Sequence, residues 1–384
     1  MNKKIGYLGP CGTFCESAVQ QYSKEKNYQS LAFQTIEAVF SSVDSGEIDL
    51  GVLPMENSCE GAVNQTFDLL AYGYPPVSGR EDNCSYDIKI IGEIILPVKH
   101  SILVRPGIKL EDINCIISHP QALAQCREYL TESFPQVELV EASSTAEAVR
   151  QVAQATKPWA AIAMSGVAVK YGLNVLEHEI NDYLNNETRF IVISKKEQEC
   201  NIECKTSLLI NVANQPGALY QVLKEFSLRG INLTKIESRP AKTKMGEYLF
   251  FIDIDGHYLE PKISDALNEI KTITQPAKVL GSYPAASQNT GRKSEFTPSL
   301  QNLRQEVDVL DEQIIEMLGR RTRIVKRIGD FKASIGEVHD PKREEWILEK
   351  LSSVAEQKGF SPTVTKDIYK TLFEHFVALQ RGQA

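Results

Sequence analysis

The sequence has little of what a membrane protein or a nucleic-acid-binding protein needs. No stretch approaches the ~20 consecutive apolar residues of a membrane span, although 42% of the 384 residues are hydrophobic. The formal net charge is −8, which argues against nonspecific binding to nucleic acid, because such binding needs a basic surface. The first residues, MNKKIGYLG, are not followed by the apolar region of a secretory signal. We therefore expect a cytoplasmic globular protein that contacts neither membranes nor nucleic acids.

Closely paired cysteines are also lacking, and with them the strongest sequence evidence for a metal site. The eight cysteines include no CxxC pair. Cys11 and Cys15, like Cys200 and Cys204, form CxxxC spacings, which alone are a weak metal pattern. We expect no bound metal, and free thiols in a reducing cytoplasm.

Three regions of the chain differ in hydrophobic pattern, as a length of 384 residues suggests for a multidomain protein. Residues 1–195 alternate short β-like runs with helical stretches, which predicts an α/β domain with parallel sheets. Residues 205–284 predict strands and helices in the order βαββαβ, the order of a ferredoxin-like module. Residues 285–298 are small, polar and aperiodic, which is typical of a linker.

The last region, residues 299–384, predicts only helices. Apolar residues recur at three- and four-residue spacing from Leu300 to Ile328, as in one long amphipathic helix. Asp340-Pro341 and Ser361-Pro362 each predict the start of a shorter helix. Because two short helices cannot cover so long an apolar face, we expect an intertwined dimer.

Two cations interrupt the apolar face of the long helix. Arg321 and Lys332 both fall on it, and a buried cation is costly unless it is paired or faces an anionic ligand. Arg304 lies about 100° round the helix from Arg321, by the ~3.6-residue turn, so it can serve a different pocket. The pattern fits either an anion site or a dimerisation tail with solvated charges.

The segment LRQEVDVLDEQIIEMLGRRTRIVKRIGDFK, followed by DPKREEWIL, resembles the all-helical class of chorismate mutase over nearly all of residues 300–381. The resemblance implies an all-α, three-helix domain that rearranges chorismate to prephenate within one molecule, with no cofactor. It also implies that Arg304 comes from the neighbouring protomer. Phe376 departs from the family pattern, in which many members carry a small hydroxyl residue there. The implied catalytic residues are Arg321, Lys332, Glu344 and Gln380, and the implied substrate-binding residues are Arg304, Asp340 and Arg343.

In the first region, polar residues cluster where predicted strands end. Asn57 and Ser58 directly follow a buried strand, and His119 precedes a helix that Pro120 opens. In α/β folds ligands bind at the carboxyl ends of strands, and free amides at helix N-termini can hold a carboxylate. Thr188 lies just before another strand. Together the clusters predict a binding cleft, although each alone also fits a cap or a turn.

The strings GPCGTF, LPMENSCEGAV, LPVKH, SHPQALAQC, STAEA and TRF resemble prephenate dehydratase, in the family's order, over residues 4–194. The resemblance implies two α/β lobes around a cleft, like a type II periplasmic binding protein. It also implies conversion of prephenate to phenylpyruvate with loss of carbon dioxide and hydroxide. Hydroxide leaves poorly without a proton or a hydrogen bond, and the resemblance implies that Thr188, the threonine of TRF, is the favoured catalytic donor. The expected substrate contacts are Thr13, Asn57, Ser58, His119, Gln121 and Arg189.

Two of these residues keep alternative roles. His119 is either a general acid or a helix-capping residue, and the second reading is favoured. Arg189 is either a carboxylate anchor or a structural prop.

In the second region, NQPGALYQVL, INLTKIESRP, GEYLFFIDIDGH and LGSYP resemble the amino-acid-binding ACT domain, from Lys205 to Pro284. The resemblance implies phenylalanine as an effector bound across a dimer interface. It therefore predicts end-product inhibition, which requires two states of different phenylalanine affinity. The implied effector residues are Gly217, Ala218, Leu219, Asn232, Leu233, Glu237, Ser238 and Arg239.

Three functions stay open on the sequence. The favoured one is a bifunctional enzyme of phenylalanine biosynthesis, with domains at 1–195, 205–284 and 299–384, acting as a homodimer or homotetramer. The second is a monofunctional prephenate dehydratase whose helical tail serves only dimerisation. The third is a non-enzymatic amino-acid sensor, against which Thr188 and the polar clusters argue.

Overall fold

A computed structural model describes residues 3–24, 26–73, 86–183, 185–200, 203–274, 277–286, 300–333 and 341–380, without the side chains of 300–303, 305–306, 309–310, 313, 330–333 and 380. The chain divides into two compact units, Met1–Lys293 and Ser294–Ala384. Among the described helices, none is long and apolar enough to cross a membrane. Most of the predicted linker, residues 285–298, lies outside the described residues.

The first lobe of the first unit is a sheet flanked by helices. Its elements are β1 (Lys4–Leu8), α1 (Phe14–Tyr22), β2 (Gln29–Phe33), α2 (Ile36–Ser45), β3 (Leu50–Asn57), β4 (Gly61–Ala62), α3 (Asn64–Tyr72) and β5 (Lys89–Pro97). Helix α2 shows how the sequence directs this lobe: Thr35 caps its first turn, accepting from the Ala38 amide, and Gly46 ends it at a φ of 79°.

A second lobe follows, and the chain then returns to the first. The second lobe has β6 (Ser101–Val104), β7 (Cys115–Ser118), α4 (Pro120–Ala124), α5 (Arg127–Ser133), β8 (Glu138–Glu141), α6 (Thr145–Gln154), β9 (Trp159–Ala163), α7 (Ala168–Tyr171) and β10 (Asn174–Glu177). Strand β11 (Glu187–Ser194) then enters the first sheet between β3 and β5. Two lobes joined in this way leave a cleft between them, as the sequence predicts.

The sheets are mixed, so the prediction of parallel sheets was only partly right. The first sheet has the order β2-β1-β3-β11-β5, and the second has the order β10-β6-β9-β7-β8. Strand β1 pairs in parallel with β2 and β3, but β11 is antiparallel to both β3 and β5. Parallel pairing of successive strands needs a crossover connection, but β11 enters the first sheet from the second lobe and pairs antiparallel with both of its neighbours.

The expectation of free thiols was wrong for one pair of cysteines. Cys200 and Cys204 form a disulfide just where the next module begins. Among the other described cysteines, Cys11 and Cys59 are exposed free thiols and Cys15 is a buried one.

The βαββαβ order of the next module is confirmed. It comprises β12 (Cys204–Val212), α8 (Ala218–Ser227), β13 (Leu233–Pro240), β14 (Tyr248–Asp255), α9 (Pro261–Ile273) and β15 (Ala277–Pro284), in an antiparallel sheet of order β13-β14-β12-β15. One face of this sheet packs on its own helices, with Val222 and Phe226 fully buried. The other face shares a core with the first lobe, where the rings of Phe67 and Phe251 lie 4.7 Å apart.

The second unit is helical, as predicted. It has α10 (Leu300–Ala333), α11 (Pro341–Gln357) and α12 (Pro362–Gln380), and both predicted proline starts are confirmed. Helix α12 packs against α10 and α11. The predicted apolar face of α10 is largely uncovered in one chain: the exposed residues on it are Val307, Ile314, Met317, Ile324 and Ile328.

Candidate functional site

A cavity of about 620 Å³ lies between the two lobes of the first unit. The first lobe contributes Thr13, Asn57 and Thr188 to its wall, and the second contributes His119, Gln121 and others. Four polar clusters far apart in the sequence therefore meet at one site. No lysine or arginine is among the described residues that line the cavity, and Glu147 is the one acidic residue there.

Helix N-termini take the place of cationic side chains around the cavity. Thr13, His119 and Ser144 are the N-cap residues of α1, α4 and α6, and all three line it. The Ser144 hydroxyl accepts from the Glu147 amide at 3.0 Å, and His119 Nδ1 accepts from the Gln121 amide at 3.3 Å. The positive end of a helix dipole attracts anions. The cavity is therefore suited to a carboxylate ligand.

The capping bond of His119 bears on its two predicted roles. Because Nδ1 accepts a backbone hydrogen bond, the ring serves the start of α4. This favours the capping reading over the general-acid reading.

Asn57 and Thr188 form a hydrogen-bonded pair on neighbouring strands. Asn57 Oδ1 accepts from the amides of Cys59 and Glu60, at 2.9 and 3.0 Å, which fixes the orientation of the side-chain amide. Its Nδ2 group then donates to Thr188 Oγ1 at 2.9 Å. Since the threonine oxygen already accepts this bond, its own proton is available to donate to a ligand.

A chain of buried amides continues from this pair to His100. Asn57 Nδ2 donates to Asn186 Oδ1 at 2.7 Å, and Asn186 Nδ2 donates to Gln125 Oε1 at 2.9 Å. Gln125 Nε2 donates to the Glu60 carboxylate, so its oxygen faces His100 Nε2 at 3.1 Å. An acceptor at that place requires a proton on Nε2.

His100 is buried, and its environment keeps it neutral. Burial lowers the pKa of the imidazole, and the hydrogen bond to Gln125 offsets this only in part. His100 Nδ1 has no hydrogen-bond partner among the described residues. The other groups that contact the ring and the backbone amide, Phe14 and Asn181, are uncharged.

Cys15 also lines the cavity, and burial raises the pKa of its thiol to about 12. A thiol with that pKa stays protonated near neutral pH, so it is not a reactive thiolate. The cavity accordingly offers neutral hydrogen-bonding groups rather than an activated nucleophile among its described residues.

Two predicted substrate contacts lie elsewhere. Ser58 is absent from the cavity wall, and its hydroxyl donates to the Asn185 carbonyl and accepts from the Glu187 amide. Arg189 points to the opposite face of the sheet, where its guanidinium pairs with Glu93 at 2.7 Å and Asp253 at 2.6 Å. The structure therefore favours the reading of Arg189 as a structural prop.

The predicted effector residues divide into two groups within one chain. Gly217, Ala218 and Leu219 open α8, at the same end of the sheet as Glu237, Ser238 and Arg239. Asn232 and Leu233 lie beyond the other end of α8, a helix about 15 Å long at ~1.5 Å per residue. A site that uses both groups therefore needs a second chain.

In the second unit, Arg321 is held among aromatic rings. Its guanidinium carbon lies 4.3 Å from the ring centre of Phe376 and 5.6 Å from that of Phe373. Burial lowers the pKa of Arg321, and its NH1 atom has no hydrogen-bond partner among the described residues. A half-buried guanidinium whose NH1 group has a spare donor is suited to an anionic ligand.

The other predicted residues of this unit are only partly described. Arg304 is exposed, Arg343 lies over the Trp346 ring at 4.2 Å, and Glu344 is half-buried. The side chains of Lys332 and Gln380, and the whole of Asp340, lie outside the described residues.

Three residues of the hydrogen-bonded chain that runs from Asn57 to His100 were not predicted from the sequence: His100, Gln125 and Asn186. His100 and Gln125 lie inside strings that carried the family resemblance, LPVKH and SHPQALAQC, and Asn186 lies two residues before the string TRF. What identifies them is burial, because all three are polar side chains less than a tenth exposed. Burial of that kind is a property of the fold and not of the local sequence.

The sequence of this chain matches known protein families. Residues 5–198 match the family model of prephenate dehydratase, residues 206–272 that of the ACT domain and residues 303–381 that of chorismate mutase type II. A bifunctional chorismate mutase/prephenate dehydratase from Aquifex aeolicus is 40% identical over 284 residues, which cover 74% of this chain and 74% of that protein.

Two solved structures resemble the first unit. Prephenate dehydratase from Arthrobacter aurescens, in complex with L-Phe, has a TM-score of 0.67 and 32% identity, covering 81% of this chain and 99% of that one. GqqA, described as a novel type of quorum quenching acylase, has a TM-score of 0.64 and 30% identity, covering 74% of this chain and 98% of that one. Because one fold can serve different reactions, the assignment of a reaction rests on the family models and on the cavity.

The three matched segments agree with the three structural parts: the two lobes, the βαββαβ module and the helical unit. The chain is therefore an enzyme with a prephenate dehydratase domain, an ACT domain and a chorismate mutase domain. Since the dehydratase model alone matches half of its length, the chain belongs to the prephenate dehydratase family.

Proposed function

We propose that Thr188 donates a hydrogen bond to the departing hydroxyl of prephenate in the cavity between the lobes. The observation that carries this is the Asn57–Thr188 bond, which occupies the threonine oxygen and leaves its proton for the ligand. In the reaction one proton is taken up, and phenylpyruvate, carbon dioxide and water are formed. A hydrogen bond that strengthens as negative charge develops on the leaving oxygen lowers the barrier.

The carboxylates of prephenate would bind at the helix N-termini. Thr13, His119 and Ser144 begin α1, α4 and α6 at the cavity wall, where Gln121 also lies and where no lysine or arginine is among the described residues. Hydrogen bonds from fixed amides hold an anion without the reorganisation that a long cationic side chain needs. Asn57 then acts as the residue that orients Thr188, and Ser58 and Arg189 act outside the cavity.

For the helical unit, we propose that Arg321 holds a carboxylate of chorismate and that Lys332 and Gln380 donate toward the breaking ether bond. The family resemblance adds four more residues to this proposed site: Arg304, Asp340, Arg343 and Glu344. The exposed apolar face of α10 supports a homodimer, in which a second copy covers that face. Arg304, exposed in one chain, would then serve the partner's pocket.

We further propose that phenylalanine binds the ACT domain and inhibits the dehydratase, and that the enzyme acts in the cytoplasm. The support for phenylalanine is the L-Phe complex of the related dehydratase, and a site that used both groups of predicted effector residues would require two chains. Dimer and tetramer both satisfy that requirement. The proposed domain bounds stay 1–195, 205–284 and 299–384.

The test supplies chorismate and prephenate separately and follows prephenate and phenylpyruvate over time. Thr188→Val, which keeps the shape but not the hydroxyl, is expected to lower dehydratase kcat by at least about 100-fold, while Thr188→Ser keeps most of it. With chorismate as substrate, Thr188→Val should accumulate prephenate. A wild-type protein that leaves chorismate untouched would support the alternative of a monofunctional dehydratase with a structural tail.

A further inference from the structure

Six charged side chains meet between the dehydratase sheet and the ACT sheet, and we call them the charge cluster. The dehydratase contributes Glu56, Glu93 and Arg189, and the ACT domain contributes Lys205, Lys235 and Asp253. Three carboxylates thus face three cations. The side chains are nearly buried at the centre, with Glu93 1%, Asp253 4% and Arg189 8% exposed.

Arg189 is the centre of the charge cluster, and all its nitrogens are used. Nε pairs with Glu93 at 2.7 Å, NH1 with Asp253 at 2.6 Å and with Glu56 at 3.1 Å, and NH2 donates to the Tyr283 hydroxyl at 2.9 Å. Burial disfavours the charged guanidinium, but the neighbouring carboxylates outweigh it and raise its pKa. A buried ion group of this kind is destabilised strongly when one member loses its partner.

The lysines of the ACT domain complete the pairing. Lys205 Nζ lies 2.8 Å from Glu93, and Lys235 pairs with Glu56. Desolvation raises the pKa of Glu56, but Lys235 and Arg189 overcome it and hold the pKa below its usual value. Both carboxylates of the dehydratase therefore depend on the ACT domain for part of their counter-charge.

Strand register places the charge cluster on the face of the sheet opposite to the side chains of Asn57 and Thr188. Strands β3 and β11 pair Thr188 with Asn57 and Arg189 with Glu56. Because side chains alternate between the faces of a strand, the first two residues line the cavity and the next two face the ACT domain. The ladder shifts register immediately after Arg189, and such bulges re-aim side chains near active sites.

Lys235 connects this arrangement to the predicted effector residues. It lies on β13, between Leu233 and Glu237, so a ligand that moves β13 moves the Lys235 ammonium against Glu56. A displacement at Glu56 is then one peptide unit away from Asn57. The contact from β13 to β3 is continuous and consists of ion pairs between two folded sheets. It provides a physical route for coupling the effector residues to the dehydratase site.

We propose that Glu56 and Arg189 are positioning residues of the dehydratase site, and that the ACT domain acts on Asn57 and Thr188 through them. The ACT domain is then a structural part of the active site as well as an effector-binding module. The role of phenylalanine as the effector rests on the function proposed above.

The test uses the full-length protein and its Lys235→Gln variant, with Lys271→Gln, an exposed lysine on α9, as the matched control. Phenylalanine binding is measured by calorimetry, and its effect on dehydratase kcat and KM is measured separately. We expect Lys235→Gln to bind phenylalanine as wild type does but to lose about tenfold in coupling, within the usual range for allosteric sites. Lys271→Gln should match wild type in both measurements.

Glu56→Gln and the double variant Lys235→Gln/Glu56→Gln complete a double-mutant cycle with wild type and Lys235→Gln. If the two residues act as one unit, the double variant loses no more coupling than either single variant. Without phenylalanine, Glu56→Gln should lower kcat about tenfold with KM within about twofold of wild type, the signature of an interaction made in the transition state. A residue that only stabilises the fold would lower the melting temperature and leave both constants of the folded enzyme unchanged.

Each of the remaining outcomes would overturn one part of the proposal. Full coupling in Lys235→Gln, or loss of binding together with coupling, overturns the proposed route. If wild type does not bind phenylalanine, the proposed inhibition fails by itself. The positioning role is then judged on the kcat of Glu56→Gln alone, and an unchanged kcat overturns it.

Discussion

Hydrogen-bond direction at single residues decides what the dehydratase cavity can do. Asn57 has one possible orientation because two backbone amides hold its oxygen. Every later donor and acceptor follows from that, through Asn186 and Gln125 to the neutral His100. Thr188 and His100 therefore lie at the two ends of one hydrogen-bonded chain, whose direction reverses at Asn57, which donates to both sides, and at Gln125, whose oxygen accepts from both sides.

The neutral state of His100 predicts a pH dependence of stability. Its folded-state pKa lies below the usual 6.5, so the unfolded chain binds more protons in the window between the two values. The unfolding free energy should therefore fall as pH falls from about 6.5 toward the folded-state pKa. Urea unfolding of wild type and His100→Gln, at several values from pH 7.5 to pH 5, measures this contribution as a difference in slope.

The control for that measurement is the exposed His178, changed to Gln. Its variant should show the wild-type dependence on pH. Equal slopes for wild type and His100→Gln would contradict a buried neutral imidazole.

At the scale of elements, α10 has an apolar face that the helices of its own unit do not cover. Most of its described apolar face is exposed, yet Arg321, on the same helix, is turned inward among the rings of α12. The resemblance to chorismate mutase implies a small hydroxyl residue, as in many family members, at the position of Phe376, whose ring here lies on the guanidinium. A cation–π contact of this kind partly compensates the lost hydration of the cation but leaves its N–H donors free.

This arrangement predicts opposite effects on activity and stability. Arg321→Met should lower chorismate mutase kcat by at least about 100-fold, because the carboxylate loses its donor. Its thermal unfolding midpoint should be equal to or above that of wild type, because a half-buried guanidinium, whose NH1 has no partner among the described residues, is replaced by an apolar side chain of similar length. Turnover of chorismate and differential scanning calorimetry provide the two measurements.

The exposed neighbour Arg320, changed to Met, is the matched control and should keep wild-type turnover. A large fall in the melting temperature of Arg321→Met with turnover retained would instead make Arg321 a structural residue.

For the whole molecule, the division into two units predicts which parts can be separated. The ACT sheet shares a core with the first lobe, through Phe67, Phe251 and Tyr283, and it supplies half of the charge cluster. The helical unit is a separate compact body beginning near Ser294. We therefore expect the stability of the dehydratase to depend on the ACT domain and not on the helical unit.

A chain ending at Lys293 should convert prephenate at the wild-type rate and leave chorismate unchanged. A chain ending at Lys196, before the ACT domain, should fail to fold, because it exposes the shared core and leaves Arg189 without Asp253. Expression, circular dichroism and both enzyme assays on the two truncated chains check this. Loss of dehydratase activity in the longer one would show that the units depend on each other.

The sequence by itself determined the elements and the family of each part. Helix starts at Pro341 and Pro362, the βαββαβ order and the polar clusters at strand ends are all local patterns, set by backbone preference and hydrophobic period. Long motif strings then predicted the three domains. Local patterns also explain the selection of Asn57 and Thr188, since each follows or opens a strand.

Only the tertiary structure decided which residues meet and which face each occupies. Ser58 and Arg189 are neighbours in sequence of Asn57 and Thr188, yet neither lines the cavity. Strand alternation turns Arg189 to the other face of the sheet, and Ser58, just past the end of β3, bonds to the Asn185 carbonyl and the Glu187 amide. His100, Gln125 and Asn186 become a connected chain only when the two lobes bring them together. The antiparallel entry of β11 and the Cys200–Cys204 disulfide likewise depend on long-range packing. Such contacts join residues far apart along the chain, so no local period records them.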